Sequence, residues 1–313
     1  LVITVLAGGV GAARFLRGLV EVVDPQDVTV IVNVGDDIVL HGLRVSPDLD
    51  SITYHLADVV HREQQWGRAE ESFVVSGELE RFGRTPWFTL GDRDLATHLH
   101  RSDRLRDGVA LSVVTAEIVR AFGLGLRLLP VTDDTVATRV HTTDGRDLHF
   151  QEYWVRERAA PEVERVVLAG AEGARPAPGV LEALRDAEVV LVAPSNPVVS
   201  IGTILAIPGV TEALHGTTAP VVGISPIVGG GVVRGMSDRL LPAIGVPVTT
   251  VGVAAHYSAW LDGWVLDAQD AAHEPTVAEL GLATAVTDTM MDEPGVAAAL
   301  ARTCLDLAGR LVT

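Results

Sequence analysis

Short apolar runs rich in valine and isoleucine recur along the chain, each followed by glycine or a polar loop. Residues 2–6, 28–33, 189–193 and 221–224 are the clearest, and 264–267 ends the same way in an aspartate. Continuous apolar runs bounded by turn residues predict strands buried on both faces, as in a parallel sheet. Between the first two runs, Phe15, Leu16, Leu19 and Val22 recur at helical spacing and predict a helix over 12–23. A strand, a glycine loop, a helix and a second strand form the opening of a dinucleotide-binding fold. Helices are expected at 178–186, where Pro178 suits a first turn, and at 294–311. Residues 248–253 complete the same layer.

The texture changes at 51–125, which is richer in charge, tryptophan and histidine. It reads as several short helices, with 112–122 the clearest and 95–104 capped by Gly91-Asp92-Arg93-Asp94. His98 and His100 are two apart, on different faces of a helix, and do not form a metal pair. Residues 126–151 read as short strands with a turn at 143–145. The stretch Gln151-Glu152-Tyr153-Trp154-Val155-Arg156 is open between core and pocket wall. The expected fold is therefore α/β: a Rossmann-like, mainly parallel sheet with a helical insertion over the carboxyl-end edge. Residues 1–50 and 126–313 form the nucleotide-binding core, and 51–125 the insertion or cap over the sheet edge.

Chemistry concentrates where strands end. After the second strand, Gly35 is followed by four carboxylates within fifteen residues: Asp36, Asp37, Asp48 and Asp50. Packing carboxylates together is unfavourable unless a cation joins them. The first strand ends in Gly8-Gly9-Val10-Gly11, where backbone N–H groups can approach an anion at a helix N-terminus. The dinucleotide fingerprint is broken, with Arg14 where its last glycine belongs and Asn33 where a ribose-binding acid belongs. No Lys-Ser/Thr pair closes the loop, so it is not a Walker P-loop. Two more strands run into Pro194-Ser195-Asn196-Pro197, with Ser200, and into Ser225-Pro226-Ile227, whose hydroxyls and amides suit a nucleotide.

Composition narrows the reading. The 313 residues are 48% hydrophobic, ample for a large core, and mean hydropathy is positive. No apolar run reaches the roughly 18 residues of a membrane span. The N-terminal residues read as a strand rather than a leader, and a cytoplasmic location is expected. The single cysteine, Cys304, excludes an internal disulfide or a multi-cysteine metal site. A net charge of −17 argues against nucleic acid and anionic membranes as partners.

Taken together, Ala7–Gly11, Asn33–Asp37, Ser46–Asp50, Gly91–Asp94, Pro194–Gly202 and Ser225–Ile227 resemble the 2-phospho-L-lactate transferases of coenzyme F-420 biosynthesis. The resemblance runs from residue 2 almost to the C-terminus. It implies a Mg²⁺-dependent, Rossmann-like homodimer. Members of the family transfer a phospholactyl group, or in actinobacteria a phosphoenolpyruvyl group, from a guanosine diphosphate adduct. The acceptor is 7,8-didemethyl-8-hydroxy-5-deazariboflavin, and GMP leaves. By the resemblance, Asp36 and Asp48 match metal ligands and Asp50 matches a contact to the deazaflavin, where it would orient or deprotonate the attacking hydroxyl. Gly8, Gly9, Gly11, Ser195, Asn196, Ser200 and Ser225 are expected around the nucleotide. Thr89 stands where archaeal members carry lysine. Arg93 is a candidate for offsetting phosphate charge, set against a salt bridge to Asp92 or Asp94. On this reading Asp50→Asn melts like the wild type and transfers poorly; the competing reading makes Asp50 the N-cap of the following helix. A nucleotide-sugar-binding regulator without turnover and a nicotinamide-dependent oxidoreductase are the alternative functions.

Overall fold

Ile3–Ala7 is buried at every position and is an inner strand of the sheet, beside the central one. The computed structural model describes residues 1–84 and 86–312. Ile3–Ala7 pairs in parallel with Val28–Val32 on one side and Val189–Val192 on the other. The full order across the sheet is Ala283–Thr287, Gly263–Asp267, Val221–Ile224, Val189–Val192, Ile3–Ala7, Val28–Val32 and Arg127–Pro130, with all neighbours parallel. The chain first builds outward from Ile3–Ala7 through Val28–Val32 to Arg127–Pro130. It then returns to the opposite side of Ile3–Ala7 and builds the other way. The strand order thus reverses between Ile3–Ala7 and Val189–Val192, and ligands bind beyond the carboxyl ends of strands at such a point.

The five inner strands are largely apolar and buried because helices cover both faces. Helix Gly9–Leu19 packs against Val296–Leu311 and Pro47–Leu56. Its buried Phe15, Leu16 and Leu19 join the main core. It begins three residues earlier than the apolar spacing indicates, inside the glycine loop itself. The segment 248–253 enters a helix, Thr250–Tyr257, whose Thr249 side chain accepts from Gly252 N–H.

The region after Asp50 contains helices Val74–Arg81, Asp92–Arg106 and Leu111–Ala121. The last packs on the strand Arg127–Pro130 and so belongs to the helical layer of the sheet. Asp92 and Glu71 cap each other's helices. Asp92 accepts from Val74 and Val75 N–H at 3.0 and 3.1 Å, and Glu71 accepts from Arg93 and Asp94 N–H at 2.7 and 2.8 Å. The capping role expected of Gly91–Asp94 is thus exercised by Asp92 on the preceding helix. A separate antiparallel sheet, Asp147–His149, Ala137–Thr142 and Val163–Ala169, stands beside the main one.

Candidate functional site

The glycine loop is shaped by what lies against it. Gly8 N–H donates to Ser195 Oγ at 3.0 Å, joining the two strand ends across the reversal point. A Cβ on Gly8 would stand 2.7 Å from Asp48 Oδ2 and 2.7 Å from Ser200 Cβ, so only glycine fits. Gly9 has φ +74°, a conformation that costs an L side chain energy.

Asn33 explains why no ribose-binding acid follows the second strand. Its Oδ1 accepts from Gly35 N–H at 2.8 Å, tightening the turn, and its Nδ2 donates to Asp48 Oδ2 at 2.8 Å. The asparagine therefore ties the acidic loop to the first turn of Pro47–Leu56. Asp48 sits in that turn, where the helix dipole favours an anion.

Asp36 and Asp48 are both buried and both line one cavity. Burial, and after it the charge of Asp48, pushes the Asp36 carboxyl well above the usual range. Burial raises Asp48 to about 7 against the opposing hydrogen bond from Asn33. Asp36 Oδ1 is buried and has no hydrogen-bond partner among the described residues. An orphaned carboxylate oxygen beside a second carboxylate fits a hard cation. Mg²⁺ commonly takes one or two carboxylates and completes its shell with water and phosphate oxygens. Among the described residues no group of three His, Cys, Asp or Glu side chains is placed to hold a metal, so Asp36 and Asp48 would have to share the ion with a ligand.

A prediction follows from the sign of these shifts. Both carboxyls have folded-state values above the unfolded one, so the folded, metal-free chain holds these protons more tightly. Their contribution to stability is fully present below the unfolded value of 3.8. It is lost as pH rises through about 7 for Asp48 and through the likewise raised value of Asp36. His55 and His149, held low mainly by burial, act in the opposite direction below their unfolded value of 6.5. The clean quantity is therefore the Mg²⁺-induced rise in Tm, since the metal needs both carboxylates ionised. At saturating Mg²⁺ that rise is expected to grow from near zero at pH 5.5 to roughly 5 °C at pH 8. A rise independent of pH in calorimetric melts would place the ion elsewhere.

Asp50 lies apart from this pair. Its N–H donates to Ser46 O at 3.0 Å, inside the helix, so it is not the N-cap. Because the segment is helical rather than extended, Asp48 and Asp50 do not share a face. The Asp50 carboxylate is buried and bound by both terminal nitrogens of Arg101, one at 3.1 Å, and is not on the cavity wall. Asp37 is likewise structural: its Oδ2 accepts from Arg44 Nε at 3.0 Å and Ser46 Oγ at 2.7 Å. Arg93 points outward and pairs with Glu70 at 3.2 Å, not with Asp92 or Asp94, and it does not reach the cavity.

The cavity, about 590 Å³, brings together Gly8, Gly9, Gly11, Asp36, Asp48, Thr89, Ser195, Asn196, Ser200 and Ser225. Asn196 Oδ1 accepts from Val198 and Val199 N–H, capping the turn that places Ser200. Ser225 Oγ closes its own loop onto Ile227. Of the aromatic stretch, Trp154 and Gln151 are on the wall and Tyr153 is core. Trp66, Trp87 and Phe88 from the insertion add an aromatic side, opposite in character to the carboxylate end. Arg14 and Arg234 also line the cavity. The sequence signalled Arg14 by its intrusion into the glycine fingerprint; nothing local marked Arg234 or the tryptophans.

A family model described as 2-phospho-L-lactate transferase CofD matches residues 3–303. The chain belongs to that family. It is 51% identical over 312 residues to a phosphoenolpyruvate transferase of Kitasatospora aureofaciens, covering 98% of this chain and 97% of the relative. It is 51% identical to that of Streptomyces coelicolor, covering 98% of both, and 44% identical to that of Mycolicibacterium smegmatis, again covering 98% of both. As a member of this family, the chain is a transferase. In fold it is similar to a solved Bacillus halodurans protein of the UPF0052 family, with TM-score 0.65 and 18% identity over 97% of this chain and 98% of that one. No single helix among the described residues is long and apolar enough to cross a membrane.

Proposed function

We propose that this transferase acts in coenzyme F-420 biosynthesis. It moves a phosphoenolpyruvyl group, or its phospholactyl counterpart, from a guanosine diphosphate adduct to 7,8-didemethyl-8-hydroxy-5-deazariboflavin. The supporting observation is the junction, in one cavity, of the buried Asp36–Asp48 pair with the Gly8–Ser195 loop contact. The names of relatives at 44–51% identity favour the phosphoenolpyruvyl donor.

The terminal ribitol hydroxyl of the deazaflavin attacks the β-phosphorus. A phosphorus–oxygen bond forms, the bond to the GMP oxygen breaks, and the hydroxyl proton is released to water. Little covalent chemistry falls to the protein, so alignment and charge neutralisation dominate. Bound Mg²⁺, held by Asp36 and Asp48, would neutralise diphosphate charge. The loops carrying Gly8–Gly11, Ser195–Ser200 and Ser225 hold the guanosine diphosphate part, and Trp66, Trp87, Phe88 and Trp154 offer flat apolar surfaces to a tricyclic acceptor. Asp50 acts from behind the wall, by fixing the helix that presents Asp48. A calorimetric titration is expected to show GDP binding well above ADP or NAD; equal affinity for NAD would return the chain to the oxidoreductase reading. The cell interior and a homodimer remain the expected setting.

A further inference from the structure

Arg234 sits on a glycine-rich strap between strand Val221–Ile224 and helix Ser237–Leu240. Gly229, Gly230 and Gly235 all have positive φ, and Gly229 N–H is anchored on buried Asp270 at 2.9 Å. The guanidinium lines the cavity and stays accessible. It donates to Gln64 O at 2.6 Å, a neutral acceptor on the insertion segment that also carries Trp66. No carboxylate lies within 4.0 Å of it among the described residues. Its charged neighbours are another cation, Arg14, and more weakly Asp292, which is already paired with Arg14 at 2.8 Å; Arg14 also donates to Met291 O. Burial, and then Arg14, pulls the Arg234 value below that of a free guanidinium. A guanidinium offers five donors in a planar fork suited to carboxylate, and Gln64 uses one of them.

The donor in the proposed reaction has three negative charges: two on the diphosphate and one on the carboxylate of the transferred acid. A Mg²⁺ ion held by two aspartates adds no net charge to the site. In the proposed function the diphosphate lies on the glycine loop, at the N-terminus of the helix that carries Arg14. The carboxylate then needs its own cation, and a cation without an acid partner stands on the other rim. We infer that Arg234 is the residue that reads the carboxylate of the transferred acid, leaving the Gln64 carbonyl to do so. This rests on the function proposed above and extends it to donor selection.

The test compares wild type, Arg234→Gln and Arg234→Lys on three probes: the GDP adduct of phosphoenolpyruvate, GDP itself, and the P²-ethyl ester of GDP, which keeps the diester charge and lacks the carboxylate. Arg234→Gln is expected to lower kcat/KM for the carboxylate donor by about 10–100-fold, the scale of a lost charge-assisted hydrogen bond. GDP and ethyl ester affinities should stay within about threefold, and lysine should restore part of the loss through charge alone. Equal loss for GDP and the ethyl ester would place Arg234 on the diphosphate and overturn the inference, as would an Arg234→Gln variant with wild-type kcat/KM. A wild-type protein that transfers nothing would instead sink the proposed function, a separable result.

Discussion

Asp48→Asn is expected to lower transfer by roughly 10²–10³-fold at saturating Mg²⁺, the scale of losing one principal electrostatic stabiliser. The substitution keeps the shape of the side chain and one oxygen for Asn33 Nδ2, so the loop geometry survives. Asp36→Asn is expected to be equally damaging to rate but to differ in stability. Asp36 Oδ1 is an orphan, and ionising Asp36 beside Asp48 is disfavoured by burial and repulsion. Metal-free Asp36→Asn should therefore melt at or above wild type at pH 8 and show no Mg²⁺-induced rise. This is the pattern of a site strained for function. Two variants with near-normal rates would remove the pair from the chemistry.

Arg101→Leu is expected to destabilise the fold by about 3–5 kcal/mol, because it leaves buried Asp50 without its counter-charge. Arg101 is itself 1% exposed, and the ion pair joins helix Asp92–Arg106 to the helix bearing Asp48. Asp50→Asn strands the guanidinium instead, so it should melt well below wild type. That reverses the expectation from sequence alone, in which this variant melts normally. Combining the two substitutions should recover much of the loss, since a buried pair replaced as a unit is often nearly neutral. Urea denaturation of the two single variants and the double variant checks this; single variants within about 1 kcal/mol of wild type would show that the pair is not buried in solution.

Asp50 shows where sequence reasoning stops. Its partner lies 51 residues away, on a helix whose apolar spacing says nothing of a buried arginine. Asp36 and Asp48 were legible because a continuous apolar strand fixes where the chain leaves the sheet, and an acidic loop must follow there. Asn33 and Arg14 were visible as departures from a fingerprint, but their roles depend on distant partners, Asp48 for Asn33 and Asp292 for Arg14. Arg93 was misplaced because the motif around it serves reciprocal helix caps, with the guanidinium on the outer side. Among the strands, Ala283–Thr287 and Val163–Ala169 escaped notice. The first is small and partly polar, Ala-Thr-Ala-Val-Thr, at a half-buried edge, and the second carries exposed Glu164 and Arg165 side by side. The inner strands were read to within a residue or two because burial on both faces leaves few polar positions to confuse the pattern.

The central claim is turnover at the Asp36–Asp48 end of the cavity. The most direct measurement incubates the protein with the GDP adduct of phosphoenolpyruvate, the deazaflavin and Mg²⁺, and follows GMP by chromatography. The account predicts one GMP per phosphodiester formed, dependent on all three components and abolished by chelation. Tight nucleotide binding with no GMP released under any of these conditions would contradict it and leave a binding protein of the same fold.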